Sequence, residues 1–133
     1  MAKYVYPAIF TPEDSGGYSI RFPDIKNCFT DGNDLSDAMQ QANDVVCLML
    51  YDLEQAGAPI PEASAVQDLQ AGLSLGEFVT LIACDTIEYR KFYDNKAVKK
   101  TLSIPSWLND MAERAGINFS GTLQEALKKQ LNI

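Results

Sequence analysis

Apolar and polar residues alternate over several short stretches in the first part of the chain. Three stretches rich in aromatic and β-branched residues, Lys3 to Phe10, Tyr18 to Phe22 and Asn27 to Thr30, are separated by Gly, Pro and Asp residues. Such stretches are typical of strands joined by turns, and we predict a three-stranded antiparallel meander. A fourth stretch, Glu77 to Cys84, is the most apolar strand candidate and is predicted to join the same sheet.

Between the third and fourth strands the apolar residues recur at the spacing of a helix. The helix is predicted to start at Asp34, a residue type that caps helix N-termini, and to end at Ala56 before Gly57. The residues expected to pack on the sheet are Leu35, Ala38, Met39, Ala42, Val46, Met49, Leu50 and Leu53. The predicted fold class is therefore α+β, with a βββαβ domain over residues 1–86 and a linker over residues 87–95, for which a short helix is the alternative.

In the end of the chain, residues 96–133, a stretch with the alternation of a strand is followed by stretches with the spacing of a helix. Alternation predicts a short strand with a polar face of Lys99, Thr101 and Ser103 and an apolar face of Val98, Leu102 and Ile104. After Pro105 come two helical stretches, the first closed by Gly116 and the second predicted to begin at Ser120 as its N-cap.

A module of about forty residues with one unpaired strand cannot bury its apolar face alone. We therefore expect the strand to pair with the same strand of a second chain, in a homodimer or a higher assembly. The expected dimer core consists of Val98, Leu102, Ile104 and Trp107.

This order of elements, and the proline after the strand, resemble the ribbon-helix-helix family, in which a dimeric two-stranded ribbon enters the major groove of DNA. The resemblance implies that Lys99, Thr101 and Ser103 contact base edges, and that the amides of Ser120 and Gly121 bind a phosphate. Family strands often carry Arg or Asn at the base-contacting positions, which this strand lacks. The alternative is that the three polar residues form only the solvated face of an edge strand, with Lys128 and Lys129 complementing a helix dipole.

Charge is distributed unevenly along the chain, whose formal net charge is −7. Residues 1–94 contain 15 acidic and 5 basic residues, a net charge of −10, whereas residues 95–133 contain 3 acidic and 6 basic residues, a net charge of +3. Because binding to a polyanion needs clustered Lys and Arg, only the end of the chain suits DNA. The acidic part suits a cationic protein, although the same charge could serve solubility alone.

A second resemblance is carried by Gly17-Tyr18, Phe22-Pro23-Asp24-Ile25, Cys28, Gly32, Leu35, Ala38, Ala42, Gly57 and Pro59 to Pro61. These residues resemble the N-terminal domain of HicB-type antitoxins, and the two-part order of the chain agrees. The resemblance implies a partial RNase-H-like fold and a HicA-type mRNA-cleaving toxin as partner, with Asp24 and Asp31 as candidate toxin contacts. Lys26-Asn27 stands where the family commonly has Pro-Gly, and the turn is expected to survive because Asn tolerates a left-handed backbone.

Together the two resemblances imply an antitoxin that neutralises its toxin and represses its own operon as a DNA-binding dimer. The alternative is a stand-alone ribbon-helix-helix repressor whose N-terminal domain dimerises or senses a ligand. A short, basic, histidine-containing reading frame beside the gene would favour the antitoxin.

Several kinds of chemistry are not expected. The chain has no histidine, which removes His-based general acid–base catalysis and His-containing zinc sites. RNase-H-like enzymes hold metal ions with clustered carboxylates, but no pair among Asp14, Asp24, Asp31 and Asp52 has a spacing that forces convergence. A metal-dependent nuclease is therefore the weakest hypothesis, and we expect no catalytic residue, metal or cofactor.

Two further expectations concern the location of the chain and its thiols. The longest apolar run, Val45 to Tyr51, is far shorter than the ~20 residues that span a bilayer. Nothing resembles a signal peptide, and we expect a cytoplasmic protein with no membrane partner. Cys28, Cys47 and Cys84 lie in apolar contexts and are predicted to be buried, reduced thiols.

Overall fold

A computed structural model describes residues 3–133 and divides the chain into two compact units, with the boundary between Lys96 and Ala97. The first unit contains, in chain order, β1 (Lys3–Pro12), β2 (Tyr18–Arg21), β3 (Phe29–Gly32), α1 (Leu35–Ala56), α2 (Val66–Gln70), β4 (Phe78–Asp85) and α3 (Thr86–Tyr93). The second unit contains α4 (Ser106–Arg114) and α5 (Phe119–Leu131). Over the described residues, no helix has the length and apolarity needed to cross a membrane.

The four strands form one antiparallel sheet in the order β3-β2-β1-β4. β1 lies inside the sheet, where Ile9 is opposite Arg21 of β2 and Val79 of β4. The predicted meander and its fourth strand are confirmed, with strand ends shifted by up to two residues. The fold class is α+β, as predicted.

The long helix α1 is bounded by the residues that the sequence indicated. The Asp34 side chain accepts a hydrogen bond from the amide of Asp37 at 2.8 Å, which caps the N-terminus. Gly57 ends the helix in the left-handed conformation with φ 66°, where a residue without Cβ has no steric penalty.

One face of the sheet packs against α1 and forms the core of the first unit. The helix contributes the small buried residues Ala38 and Ala42, and Ala38 lies directly against Gly32 of β3. At Gly32 a Cβ would lie 2.4 Å from the Cα of Ala38, so only glycine allows this approach. The core side chains of the sheet and loops include Tyr6, Ala8, Phe10, Ile20, Phe22, Ile25, Ile82 and Cys84.

Two smaller predictions in the first unit are also confirmed. All three cysteines, Cys28, Cys47 and Cys84, are buried and form no disulfide. Asn27 adopts a left-handed backbone with φ 59°, so the turn before Cys28 is kept without the glycine.

The segment predicted to be a linker, residues 87–95, contains the short helix that the sequence left open. Most of that segment is α3, which is capped by the Asp85 carboxylate through hydrogen bonds from two first-turn amides at 3.0 and 3.2 Å. Arg90 of α3 forms an ion pair with Glu54 of α1 at 3.0 Å. A cap and a tertiary ion pair therefore make this segment part of the first unit.

In the second unit, residues 97–105 form neither helix nor strand within the single chain. A ribbon strand is defined by hydrogen bonds to a second strand, which one chain does not supply, so the intermolecular ribbon stays a prediction. The start of α5 differs from the predicted one: the helix begins at Phe119, and its N-cap is Asn118 rather than Ser120.

Candidate functional site

The second unit has a surface in which apolar side chains are left uncovered. Of residues 97–133, all of which the structure describes, none is buried. A packed domain buries most of its large apolar residues, so this unit lacks a core of its own. We call the following residues the C-terminal apolar surface: Val98, Leu102, Ile104, Trp107, Leu108, Met111, Ile117, Phe119, Leu127, Leu131 and Ile133.

The four residues predicted to form a dimer core all belong to this surface. Their exposed fractions range from 47% for Ile104 to 85% for Val98, with Leu102 and Trp107 between these values. Large apolar side chains exposed to this extent are typical of a surface that binds another protein chain.

The three predicted base-contacting residues, Lys99, Thr101 and Ser103, are all exposed. They alternate with Val98, Leu102 and Ile104 in a segment free of helix, so an extended backbone would place the two sets on opposite faces. Polar side chains are therefore available to a ligand on this segment.

The N-terminus of α5 is arranged differently from the prediction. The amide of Gly121 donates a hydrogen bond to the Asn118 side chain at 3.1 Å, so this amide already has an acceptor. A phosphate bound by Gly121 would have to replace the Asn118 oxygen. The sequence signal for this cap was Asn118 itself, since Asn is as good an N-cap as Ser.

The two candidate toxin contacts in the first unit, Asp24 and Asp31, differ in how free their carboxylates are to bind a partner. The Asp24 carboxylate accepts hydrogen bonds from the amide of Ser64, at 2.9 Å, and from the Ser64 hydroxyl. It therefore fastens two loops of the first unit together. Asp31 is exposed on the edge strand β3, in a shallow hollow of about 430 Å³ shared with Arg21 and Phe29.

Glu54 joins three elements of the first unit through hydrogen bonds. Its carboxylate accepts from the Tyr4 hydroxyl at 2.7 Å and from Thr86 and Arg90 at 3.0 Å each. Burial alone would raise the pKa of Glu54, but these hydrogen bonds outweigh burial and lower the pKa. The charged carboxylate thus anchors α3 to the sheet and to α1.

The carboxylates considered for catalysis, Asp14, Asp24, Asp31 and Asp52, do not form a metal site in the described structure. Over residues 3–133, no group of three or more His, Cys, Asp or Glu side chains is placed to hold a metal ion.

Aromatic residues on α3 form a cluster that sequence reasoning missed. Tyr89 stacks between Tyr51 of α1 and Tyr93, with ring centroids 5.4 and 4.5 Å apart, and Phe92 lies 4.8 Å from Tyr93. We call these four residues the aromatic ladder. The spacing of Tyr89 and Tyr93, one helical turn apart, was its only sequence signal.

A family model and several solved structures match the chain across both of its units. A family model described as the HicB_like antitoxin of bacterial toxin–antitoxin systems matches residues 6–127. The chain therefore belongs to the HicB-like antitoxin family, a family of regulatory proteins. No curated protein matches the chain.

Similar solved structures cover nearly the whole chain. One is a chain of a toxin–antitoxin complex from Streptococcus pneumoniae, with 25% identity, a TM-score of 0.60, and coverage of 96% of this chain and 99% of that one. The antitoxin HicB of Burkholderia pseudomallei is similar in fold, with 21% identity, a TM-score of 0.57, and coverage of 96% and 98%. So is an antitoxin HicB3, with 23% identity, a TM-score of 0.53, and coverage of 96% and 97%.

Proposed function

We propose that this antitoxin has two activities. The first unit neutralises a HicA-type, mRNA-cleaving ribonuclease toxin, and the second unit forms a ribbon-helix-helix dimer that binds operator DNA and represses the operon. Since an mRNA-cleaving toxin and operator DNA would both be met in the cytoplasm, we propose that location for the antitoxin. The observation that carries the second activity is a basic unit with no buried side chain, attached to an acidic unit with a complete core.

Pairing of two chains would account for the C-terminal apolar surface. Two segments around residues 97–104 in antiparallel register would bring Val98, Leu102 and Ile104 of each chain to one face of the ribbon. α4 supplies Trp107 to cover that face. Burial of these side chains in a dimer would be worth about 1.5–3 kcal/mol each, before the entropy of association.

The opposite face of the ribbon would then contact DNA. Lys99, Thr101 and Ser103 would lie in the major groove, and the positive end of the α5 dipole would face a phosphate near Ser120. Gly121 would join this contact only by giving up its bond to Asn118.

Neutralisation of the toxin is supported by family membership and by charge. The first unit carries the excess of acidic residues, and a ribonuclease needs a cationic surface to bind RNA. The similar Streptococcus pneumoniae chain belongs to a toxin–antitoxin complex. We further propose that the βββαβ order is a partial RNase-H-like fold used for protein binding, without a catalytic carboxylate site.

The DNA-binding assignment can be tested with two variants of the full-length chain. Lys99→Ala combined with Thr101→Ala removes polar contacts and leaves the apolar face of the ribbon intact. We expect it to stay dimeric and to lose operator affinity, since a good base contact is worth about 1–3 kcal/mol. A lost lysine–phosphate contact would instead reduce the salt slope of binding by about 1.

The second variant, Leu102→Asp, places a charge in the proposed dimer core and should abolish dimer and DNA binding together. Lys128→Ala is the matched control, because it also removes one lysine but from the last turn of α5. Affinity for operator and for random duplex would be measured at several salt concentrations, and dimer mass by light scattering. A dimeric Lys99 and Thr101 double variant that binds operator like the parent would overturn the assignment.

A further inference from the structure

A groove of about 640 Å³ lies on the first unit, between α1, the edge strand β4 and α3. Asp44 and Cys47 line it from α1, Ala83 and Cys84 from β4, and Tyr89 and Phe92 from α3. The start of β1 also lines the groove, and all four elements belong to the same compact unit.

Two large aromatic side chains are exposed beside this groove. Phe92 is 75% exposed and Tyr93 is 62% exposed, although both belong to the aromatic ladder. Tyr93 packs on Tyr89 with ring centroids 4.5 Å apart, and Phe92 packs edge-on against Tyr93 at 4.8 Å, so each exposed ring is supported by a neighbouring ring. Rigid exposed aromatics of this kind are typical of protein-binding hot spots.

The charges that line the groove are mostly negative. Three acidic residues, Asp44, Asp85 and Glu88, line it together with one basic residue, Lys3. Arg90 of α3 is paired with Glu54 at 3.0 Å. Lys91 is paired at 2.9 Å with Glu88, one of these three acidic residues, so Asp44 and Asp85 carry most of the negative charge of the rim.

The ionisation of Tyr89 reflects this environment. Burial raises the pKa of Tyr89, and the nearby Tyr93 hydroxyl and the Asp52 and Asp44 carboxylates raise it further. A negative charge is therefore disfavoured at the Tyr89 hydroxyl, first because it is buried and then because the neighbouring groups are acidic.

We propose that this groove is the surface that receives the toxin, through a basic segment of a small RNA-binding protein whose Lys or Arg side chains lie between the aromatic ladder and the acidic rim. Cations bind well over aromatic faces and beside carboxylates, so the aromatic ladder and the acidic rim both favour a partner with Lys or Arg side chains. The proposal rests on the proposed function, since it assigns a surface to neutralisation.

The hollow on β3 that contains Asp31 is the competing surface. It is smaller, at about 430 Å³, and it has one exposed aromatic residue, Phe29. Its lining holds one acidic residue, Asp31, against three at the groove, and the Arg21 beside Asp31 is paired with Glu77 at 3.0 Å. A cationic partner therefore gains more at the α1–β4–α3 groove.

The test uses the full-length chain and, as probe, the purified basic protein encoded beside its gene. Phe92→Ala and Asp44→Lys change the groove at two exposed positions. Phe29→Ala and Asp31→Lys make the same changes at the competing hollow, and Asp68→Lys on α2 controls for net charge. The dissociation constant would be measured by calorimetry at several salt concentrations, after circular dichroism has established that each variant is folded.

We expect Phe92→Ala to weaken binding by about 30-fold or more, the size of a hot-spot truncation. Asp44→Lys should weaken it by about tenfold at low salt and less at high salt, because screening reduces the repulsion that it introduces. The two hollow variants and Asp68→Lys should stay within about threefold of the parent, as peripheral surface changes usually do.

Each other outcome has a defined meaning. If the parent chain does not bind the basic protein, the proposed function fails. If the parent binds and only the hollow variants weaken binding, the groove is not the toxin surface while the proposed function stands. If Phe92→Ala changes only the self-association of the chain, the groove is an interface between copies and the inference is overturned.

Discussion

Replacing Gly32 with alanine should destabilise the first unit by forcing α1 away from β3. The added Cβ would lie 2.4 Å from the Cα and 2.5 Å from the amide nitrogen of Ala38. Both are backbone atoms, so no change of rotamer relieves the contact. Carbon atoms pack at about 3.5–4.0 Å, so the helix would have to move by roughly 1 Å or more. Overpacking costs about 1–3 kcal/mol, and we expect the upper end of this range.

For a domain of this size, 1 kcal/mol corresponds to about 4–8 °C in Tm, so a loss of 3 kcal/mol predicts a fall of roughly 12–24 °C. Thermal unfolding of the full chain would be followed by circular dichroism at fixed concentration, because association shifts Tm. Gly72→Ala is the matched control, since its nearest neighbour would be the Leu69 carbonyl oxygen at 4.0 Å.

A second variant tests which atoms conflict. Adding Ala38→Gly to Gly32→Ala removes the Cβ of residue 38 and leaves its Cα and amide nitrogen in place. The double variant should therefore not recover the parent's stability. A Gly32→Ala chain whose Tm lies within about 2 °C of the parent would refute the close approach of α1 to β3.

Three other measurements test individual side chains. Burial raises the pKa of Cys28 to about 11, whereas a hydrogen bond from a neighbouring thiol lowers that of Cys47, so iodoacetamide at pH 8 should label Cys47 first. Hydrogen bonds from a threonine hydroxyl, a backbone amide and an arginine lower the pKa of Glu77 to about 2. Its stabilising effect is complete above about pH 4.5 and is lost as pH falls towards 2, so Glu77→Gln should flatten Tm against pH in that window. Asn118→Ala removes the cap of α5 and should cost about 1 kcal/mol of helix stability, seen as reduced helical circular dichroism.

Each of these expectations has a result that contradicts it. Faster labelling of Cys28 than of Cys47 would mean that the thiol environments are assigned wrongly. An acid transition with the same slope in Glu77→Gln and parent would remove Glu77 from the pH response. Asn118→Asp keeps the side-chain acceptor, and equal losses in it and in Asn118→Ala would argue against the cap.

The elements that could be predicted are those in which local and tertiary preferences agree. α1 has a capping residue at Asp34, a glycine at its end and an apolar stripe that meets a sheet. α3 could not be predicted in the same way, because its stripe is short and its ion pair uses Glu54, which comes within reach only after α1 has packed. The start of α5 was missed because Asn118 and Ser120 are both good caps and only geometry decides between them.

The candidate sites also divide into one that the local sequence could predict and others that only the fold brings together. Alternation and charge sufficed to propose residues of the second unit, since those residues are contiguous. The first unit is different. The sequence around Asp24 predicts a carboxylate on the surface, but this carboxylate accepts a hydrogen bond from Ser64, 40 residues away along the chain. The α1–β4–α3 groove has no contiguous signal at all, because Asp44 and Phe92 come together only through the fold.

If the second unit acquires its core by dimerisation, as proposed, one of the two activities depends on the concentration of the protein. While most chains are single, mass action makes the amount of dimer follow the square of the monomer concentration. On the proposed function, a fall of the antitoxin to half would leave about a quarter of the operator-binding species. The first unit has its core within one chain and would lose only half of its capacity to neutralise. Transcription of the operon would therefore resume while protection against the toxin persists, which gives the cell time to replace the antitoxin.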